Sequence, residues 1–187
     1  MLAISKKLKQ ENRYTYADYV QWNDPNRWEI IDGVPYMMPR PDTIHQSISM
    51  NLIGEIGNFL KGKSCKIFSA PLDVRLAYGG NDDIVVQPDI MIFCDKNNLN
   101  EDGGIGAPDI VMEIVLPSSE KMDKTIKFKL YKRVGVAEYW IVEPDIKSVQ
   151  VHKFREGKPI KVYTNNDIIP LDILQGFNIN LADIFAI

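Results

Sequence analysis

Histidine and cysteine are nearly missing from this chain. It has two of each, His45 and His152, Cys65 and Cys94. The histidines are too few and too separated for a zinc cage. The cysteines lie far apart in no CxxC arrangement. They read as small buried hydrophobes of a reducing compartment, and no disulfide is expected. Long apolar runs are missing as well, and no stretch approaches the roughly 20 residues that span a bilayer. The opening "MLAISKKLKQENRYTY" has no long apolar core of the signal-peptide kind. A cytoplasmic protein without a membrane partner is expected. No G-x-S-x-G accompanies the two histidines, so a nucleophile triad has no support. "GGIG" at 103–106 lacks the lysine and following helix of a phosphate loop. No helix-turn-helix or zinc finger is evident. Excess positive charge is missing too. A net charge of −3 argues against non-specific coating of nucleic acid, although "EKMDKTIKFKLYKR" (120–133) is locally basic.

What is present fits an ordinary globular protein. At 187 residues, 45% of them hydrophobic, the chain is long enough to bury a sizeable core, and residues 1–187 are expected to form a single domain. Residues 1–13 are polar and basic and are expected to be partly disordered. "RYTYADYVQW" reads as a short helix capped by Thr15. "RWEIIDGVPYMMP" (about 27–39) reads as a hairpin turning at Asp32-Gly33. In 43–61, Ile44, Ile48, Leu52, Ile56, Phe59 and Leu60 recur at helical steps, with Asp42 or Thr43 as cap. Strands follow in "SCKIFSAPLDVRLA" and "NDDIVVQPDIMIF", then a glycine-rich loop, "EDGGIGAP", and the strand "DIVMEIVL". A helix spans "SSEKMDKTIKFKLYKRVG", capped by Ser118 or Ser119 and ended by Gly135. "AEYWIVEP" is a strand, "SVQVHKF" and "KPIKVYT" pair across "REGK", and "GFNINLADIFAI" has no clear pattern. The strands are apolar without clean alternation, which suggests a sheet covered on both faces. The expected class is α/β, or α+β with a mixed sheet. Its core spans about 42–143, with a C-terminal β extension at about 147–187.

Three charged residues break this pattern. Asp89 sits inside "VVQPDIMIF" and Glu113 inside "IVMEIVL". On the helix, with Ile126 at zero, Leu130 falls at about 40°, Val134 at about 80° and Tyr131 at about 140°. Lys127 at about 100° and Asp123 at about 60° lie within that buried stripe. Any one such residue could be a satisfied core ion pair. Yet replacing buried ion pairs by apolar groups is often neutral or stabilising, so structure alone gives a weak reason to keep all three. The set suits metal-assisted phosphodiester hydrolysis. Two carboxylates hold a hard cation such as Mg²⁺, with Mn²⁺ as a possible substitute. A lysine that neighbouring carboxylates keep protonated would stabilise developing charge. His45, on the apolar stripe of its helix, reads as a core histidine or as a contact to phosphate or water. Glu29, between Trp28 and Ile30, reads as an edge-strand surface residue or an outer metal ligand.

The run "QPDI…GAPDIVMEIVLPSS…DKTIKFKLYKRVGVAEYWIVEP", with "WEIIDGVPYMMP" and "HQ" before it, resembles the Uma family. Its members are bacterial proteins classed with the restriction endonucleases of the PD-(D/E)XK superfamily. The resemblance covers most of the chain. It implies an αβββαβ restriction-endonuclease-like core and a Mg²⁺-dependent endonuclease. It implies metal ligation by Asp89, Glu113 and the backbone carbonyl of Ile114. The lysine usual two residues after the glutamate is absent, since Val115 stands there. Lys127 matches a lysine moved to the following helix. Leu116 replaces an expected serine. Glu29, His45 and Asp123 match recurrent family positions. Asp109, on the same strand face as Glu113, competes with Asp89 as first ligand. Nucleic acid, DNA before RNA, is the expected partner, with a homodimer to cut both strands. A non-catalytic nucleic-acid- or protein-binding module on the same fold is the alternative.

Overall fold

Asp32 and Gly33 both adopt positive φ, 53° and 75°. That is what a two-residue turn of the primed type requires, and it folds β1 (Trp28–Ile31) back on β2 (Val34–Met37). The computed structural model describes residues 13–77, 80–157 and 159–186. The disorder expected at residues 1–13 therefore falls almost wholly outside the described residues. Before the hairpin, Thr15 caps the single turn α1 (Tyr16–Tyr19) through a capping box with Asp18. After it comes α2 (Thr43–Leu60), whose cap is Asp42, with Oδ1 accepting from His45 N at 2.8 Å. Ile48, Leu52, Ile56 and Leu60 face inward as their spacing predicts, while Ile44 points out, 45% exposed.

The strands that follow are β3 (Lys66–Ser69), β4 (Val74–Arg75), β5 (Val85–Val86), β6 (Ile90–Phe93), β7 (Leu99–Asn100), β8 (Gly103–Ile105) and β9 (Ile110–Ile114). A π-helical stretch, Met122–Lys127, runs into α3 (Phe128–Val134), which Gly135 ends at φ 91°. Then come β10 (Glu138–Glu143), β11 (Ser148–Lys153), β12 (Lys161–Thr164), β13 (Ile168–Leu171), β14 (Phe177–Asn180) and α4 (Leu181–Ile184).

Two mixed sheets result. One has the order β2-β1-β5-β4-β8-β7, the other β12-β11-β10-β9-β6-β3. In the second, β9 and β10 are parallel and the remaining neighbours antiparallel. The expected αβββαβ order is there as α2, β3, β6, β9, the π/α3 helix and β10. The segments between β3, β6 and β9 leave to build the first sheet with the N-terminal hairpin. The segment "EDGGIGAP", expected as a loop, contributes β8. Gly104 N donates to Asp73 O at 2.8 Å, and a Cβ on Gly103 would lie 2.2 Å from that oxygen. Only glycine allows this approach. The tail without a clear pattern forms the β13–β14 hairpin and α4. Asn51 of α2 donates to Ile184 O at 3.0 Å and ties it down.

Alternate residues of the second sheet feed two cores. Ile90, Ile92, Ile110, Met112, Ile114, Trp140 and Val142 pack with α2 and the C-terminal elements. Met91, Phe93, Val111, Tyr139 and Ile141 pack with Leu130, Tyr131 and the first sheet. Both faces are covered, which accounts for the lack of alternation in these strands.

The expectation of free cysteines is corrected. Lys66 pairs with Phe93, so Cys65 and Cys94 are the next opposed positions of an antiparallel pair, and they form a disulfide. Directly opposed side chains in such a ladder lie within bonding reach. Separation along the sequence carries no trace of that register.

Candidate active site

Asp89 and Glu113 are cross-strand neighbours. Ile90 pairs with Met112, so the position before β6 falls opposite Glu113 on β9. Both continue the side of the sheet occupied by Met91 and Val111, where the helix 120–134 packs. Asp89 N donates to Glu113 Oε2 at 3.3 Å. Asp89 Oδ2 accepts from Ile114 N at 2.9 Å and bonds His45 Nε2 at 3.0 Å. Burial by itself would raise the Asp89 carboxyl. The His45 contact, the Ile114 N–H and the Lys127 charge outweigh it and hold Asp89 below the usual carboxylate range.

Lys127 lies behind this pair. Its ammonium donates to Glu113 Oε1 at 2.9 Å and Glu29 Oε1 at 3.0 Å, and it stands 4.0 Å from Asp123 Oδ1. Lys127 and Glu29 are fully buried and Glu113 is 2% exposed. Desolvation would lower the lysine. The carboxylates of Glu113, Glu29, Asp123 and Asp89 overcome it and raise Lys127 above its ordinary value. Glu113 is pushed well above the usual range by burial, against the pull of Lys127 and with the push of Asp89, Asp123 and Glu29. Asp123 is raised to about 6, chiefly by burial, although Lys127 and the Ser119 hydroxyl, 2.6 Å from Oδ2, pull the other way. Three acids, Glu29, Glu113 and Asp123, stand within 4.0 Å of the one ammonium.

A recess opens on this cluster. Arg27, Pro39, Pro41, His45, Asp89, Glu113, Ile114, Leu116, Ser119 and Asp123 are among the residues that line it. Lys127, fully buried, is not among them. The two acids, Lys127, Glu29, His45, Ile114 and Asp123, all singled out by sequence, come together. Asp109 does not. It sits at the far end of β9, about 13 Å along the strand from Glu113 at ~3.3 Å per residue. There its Oδ2 accepts from Cys94 N at 2.7 Å. Sequence reasoning missed three participants. Tyr131 was placed in the buried stripe, but its hydroxyl also donates to Glu113 Oε1 at 2.8 Å. Gln87 N donates to Glu29 Oε1 at 2.8 Å; its place two residues before Asp89 was the available signal. Arg27 had none, being a lone cation just before β1.

Among the described residues, no group of three or more His, Cys, Asp or Glu side chains could hold a metal ion. A closed zinc-type cage does not fit. A magnesium-type site needs fewer protein ligands, because it keeps several waters. Asp89, Glu113 and the Ile114 carbonyl fit that demand. The two Asp89 side-chain hydrogen bonds both fall on Oδ2, so Oδ1 takes no bond from the described residues. Glu29 Oε2 is buried without a hydrogen-bond partner among the described residues.

The architecture defines a mixed α/β protein with a buried acidic centre at one end of its second sheet. The same fold occurs in a solved structure from Anabaena variabilis ATCC 29413, described as "a putative nuclease belonging to DUF820". The TM-score is 0.76 over 92% of this chain and 98% of that one, at 21% identity. The chain belongs to the Uma2 family, whose model, described as "Putative restriction endonuclease", matches residues 16–182. An uncharacterized protein of Synechocystis sp. (strain PCC 6803) is 31% identical over 116 residues, 61% of this chain. The match spans 60% of the length of that relative. Among the described residues no helix is long and apolar enough to cross a membrane.

Proposed function

We propose that this protein is a Mg²⁺-dependent endonuclease hydrolysing phosphodiester bonds of DNA. The observation that carries the reading is the Asp89–Glu113 pair lining an open recess, beside a cluster in which Glu29, Glu113 and Asp123 surround one ammonium. With these acids ionised, one ammonium leaves excess negative charge that a divalent cation would offset. Asp89, Glu113 and the Ile114 carbonyl would hold the cation. When bound, Mg²⁺ would neutralise charge on a phosphoryl oxygen and make a water more acidic.

The remaining chemistry belongs to the chain. Asp89 is held ionised by His45 and the Ile114 N–H, ready to accept without a proton to shed. Glu113 is steered by two donors behind it, Lys127 and Tyr131, which fix Oε1 and turn Oε2 toward Asp89. Lys127 is in this reading a positioning residue. It acts on the substrate through Glu113, because full burial keeps it from the scissile phosphate that the sequence pattern assigned to it. Asp123, near neutral in its titration, is placed to exchange a proton at the recess wall. Cutting both strands of a duplex calls for two such sites, so a homodimer is part of the proposal. RNA is the alternative substrate.

A non-catalytic binding module is the second reading, favoured by the complete burial of Lys127 and the absence of a three-side-chain metal cluster among the described residues. Calorimetric titration with Mg²⁺ and Mn²⁺ on wild type and Glu113→Gln separates the two. The nuclease reading expects binding that the substitution abolishes, and metal-dependent nicking of plasmid DNA lost in the same variant. No metal binding in the wild type, alone or with a non-cleavable oligonucleotide, would leave the binding module.

A further inference from the structure

We infer that Arg27 is the substrate-phosphate ligand of this recess, a guanidinium clamp for the anion brought to Asp89 and Glu113. The inference rests on the phosphodiester reading above and adds a residue to it. An anion approaching the recess meets Asp89, Glu113 and Asp123, and Lys127 cannot reach it. Arg27 is the one lysine or arginine among the residues lining that space.

Its setting is unusual for a structural arginine. Nε donates to Gln87 Oε1 at 2.9 Å and Nη2 to the Gln87 carbonyl at 3.4 Å. Gln87 is itself fixed, its Nε2 donating to Asp73 Oδ1 at 2.7 Å and to the Tyr19 hydroxyl at 3.0 Å. The guanidinium is therefore positioned by a neutral amide. Among the described residues no carboxylate pairs with it, although three line the same recess. A guanidinium has five N–H donors, of which Gln87 engages two. The rest form a planar fork that matches the oxygens of a phosphate. An arginine kept for structure would gain most by pairing with an acid. This one is oriented and left with its charge unspent. Half-buried, it stands at the foot of the hairpin.

The test uses inorganic phosphate as probe, read by ³¹P line broadening with and without Mg²⁺, on wild type, Arg27→Ala and Arg27→Lys. Mg²⁺ affinity is measured separately by calorimetry and folding by thermal melting. The expected result is phosphate binding in the wild type that weakens about tenfold or more in Arg27→Ala, with partial recovery in Arg27→Lys, as loss of a charge-assisted fork predicts. Mg²⁺ affinity should stay within about twofold, because Arg27 has no ligand role. Equal phosphate binding by wild type and Arg27→Ala, or none by the Mg²⁺-treated wild type, overturns the assignment. No Mg²⁺ binding by the wild type, with Arg27-dependent phosphate binding intact, would overturn the metal reading and leave Arg27 as a phosphate ligand.

Discussion

Lys127 donates to Glu113 Oε1 at 2.9 Å with its ammonium sealed from solvent, while Glu113 itself lines the recess. The pair is a support placed behind the acid. Removing the cation leaves Glu29 and Glu113 buried without a counter-charge. Breaking such a pair costs about 3–5 kcal/mol. Lys127→Met should lower the unfolding free energy by about that amount, read as a lower urea midpoint at unchanged m. Adding Glu29→Gln should restore part of it, since one orphaned acid is then neutral. A Lys127→Met midpoint equal to wild type would contradict the arrangement.

Asp123 contributes a pH dependence of its own. Its carboxyl titrates at about 6 in the fold against an ordinary 3.8. The folded state thus holds this proton more tightly than the unfolded one. Its stabilising effect is complete below about pH 4 and is lost as pH rises through 6, worth on the order of 1–3 kcal/mol. Asp123→Asn keeps an acceptor for Ser119 and removes the titration. In metal-free buffer, thermal melts of the variant should match wild type near pH 4 and exceed it near pH 7.5. Parallel curves over that range would count against the buried carboxyl.

The Cys65–Cys94 bond closes a loop of 29 residues' separation. Chain-entropy arguments give ~3–4 kcal/mol for a loop of that size. Dithiothreitol should lower the denaturant midpoint of the wild type accordingly and leave Cys65→Ser/Cys94→Ser unmoved. Two thiols reactive in the untreated, unfolded protein would show the bond absent.

The core order and the acids were legible because charge inside an apolar run is conspicuous. Asp89, Glu113 and Lys127 each interrupt a pattern that burial otherwise enforces. What escaped depends on pairing across the chain. The disulfide follows from the β3–β6 register, and the Tyr131 hydroxyl bond from where Glu113 meets the helix. Neither leaves a local mark. The π-helical stretch at 122–127 was read as a regular α-helix, yet Lys127 and Asp123 face inward as the simpler wheel predicted. The role assigned to Lys127 could not be read in advance, because periodicity gives a direction toward the core and no depth within it. Arg27 is informative only beside Gln87, 60 residues away.

The Ile90–Met112 register has a last consequence. The spacing of the two acids is set by main-chain pairing between adjacent strands, so it behaves as a lattice constant of the sheet. A slip of one residue would turn one acid to the opposite face. Changes in the length of the surrounding loops would leave it alone. The rim that meets a ligand can therefore diverge freely while the floor beneath it keeps its dimensions.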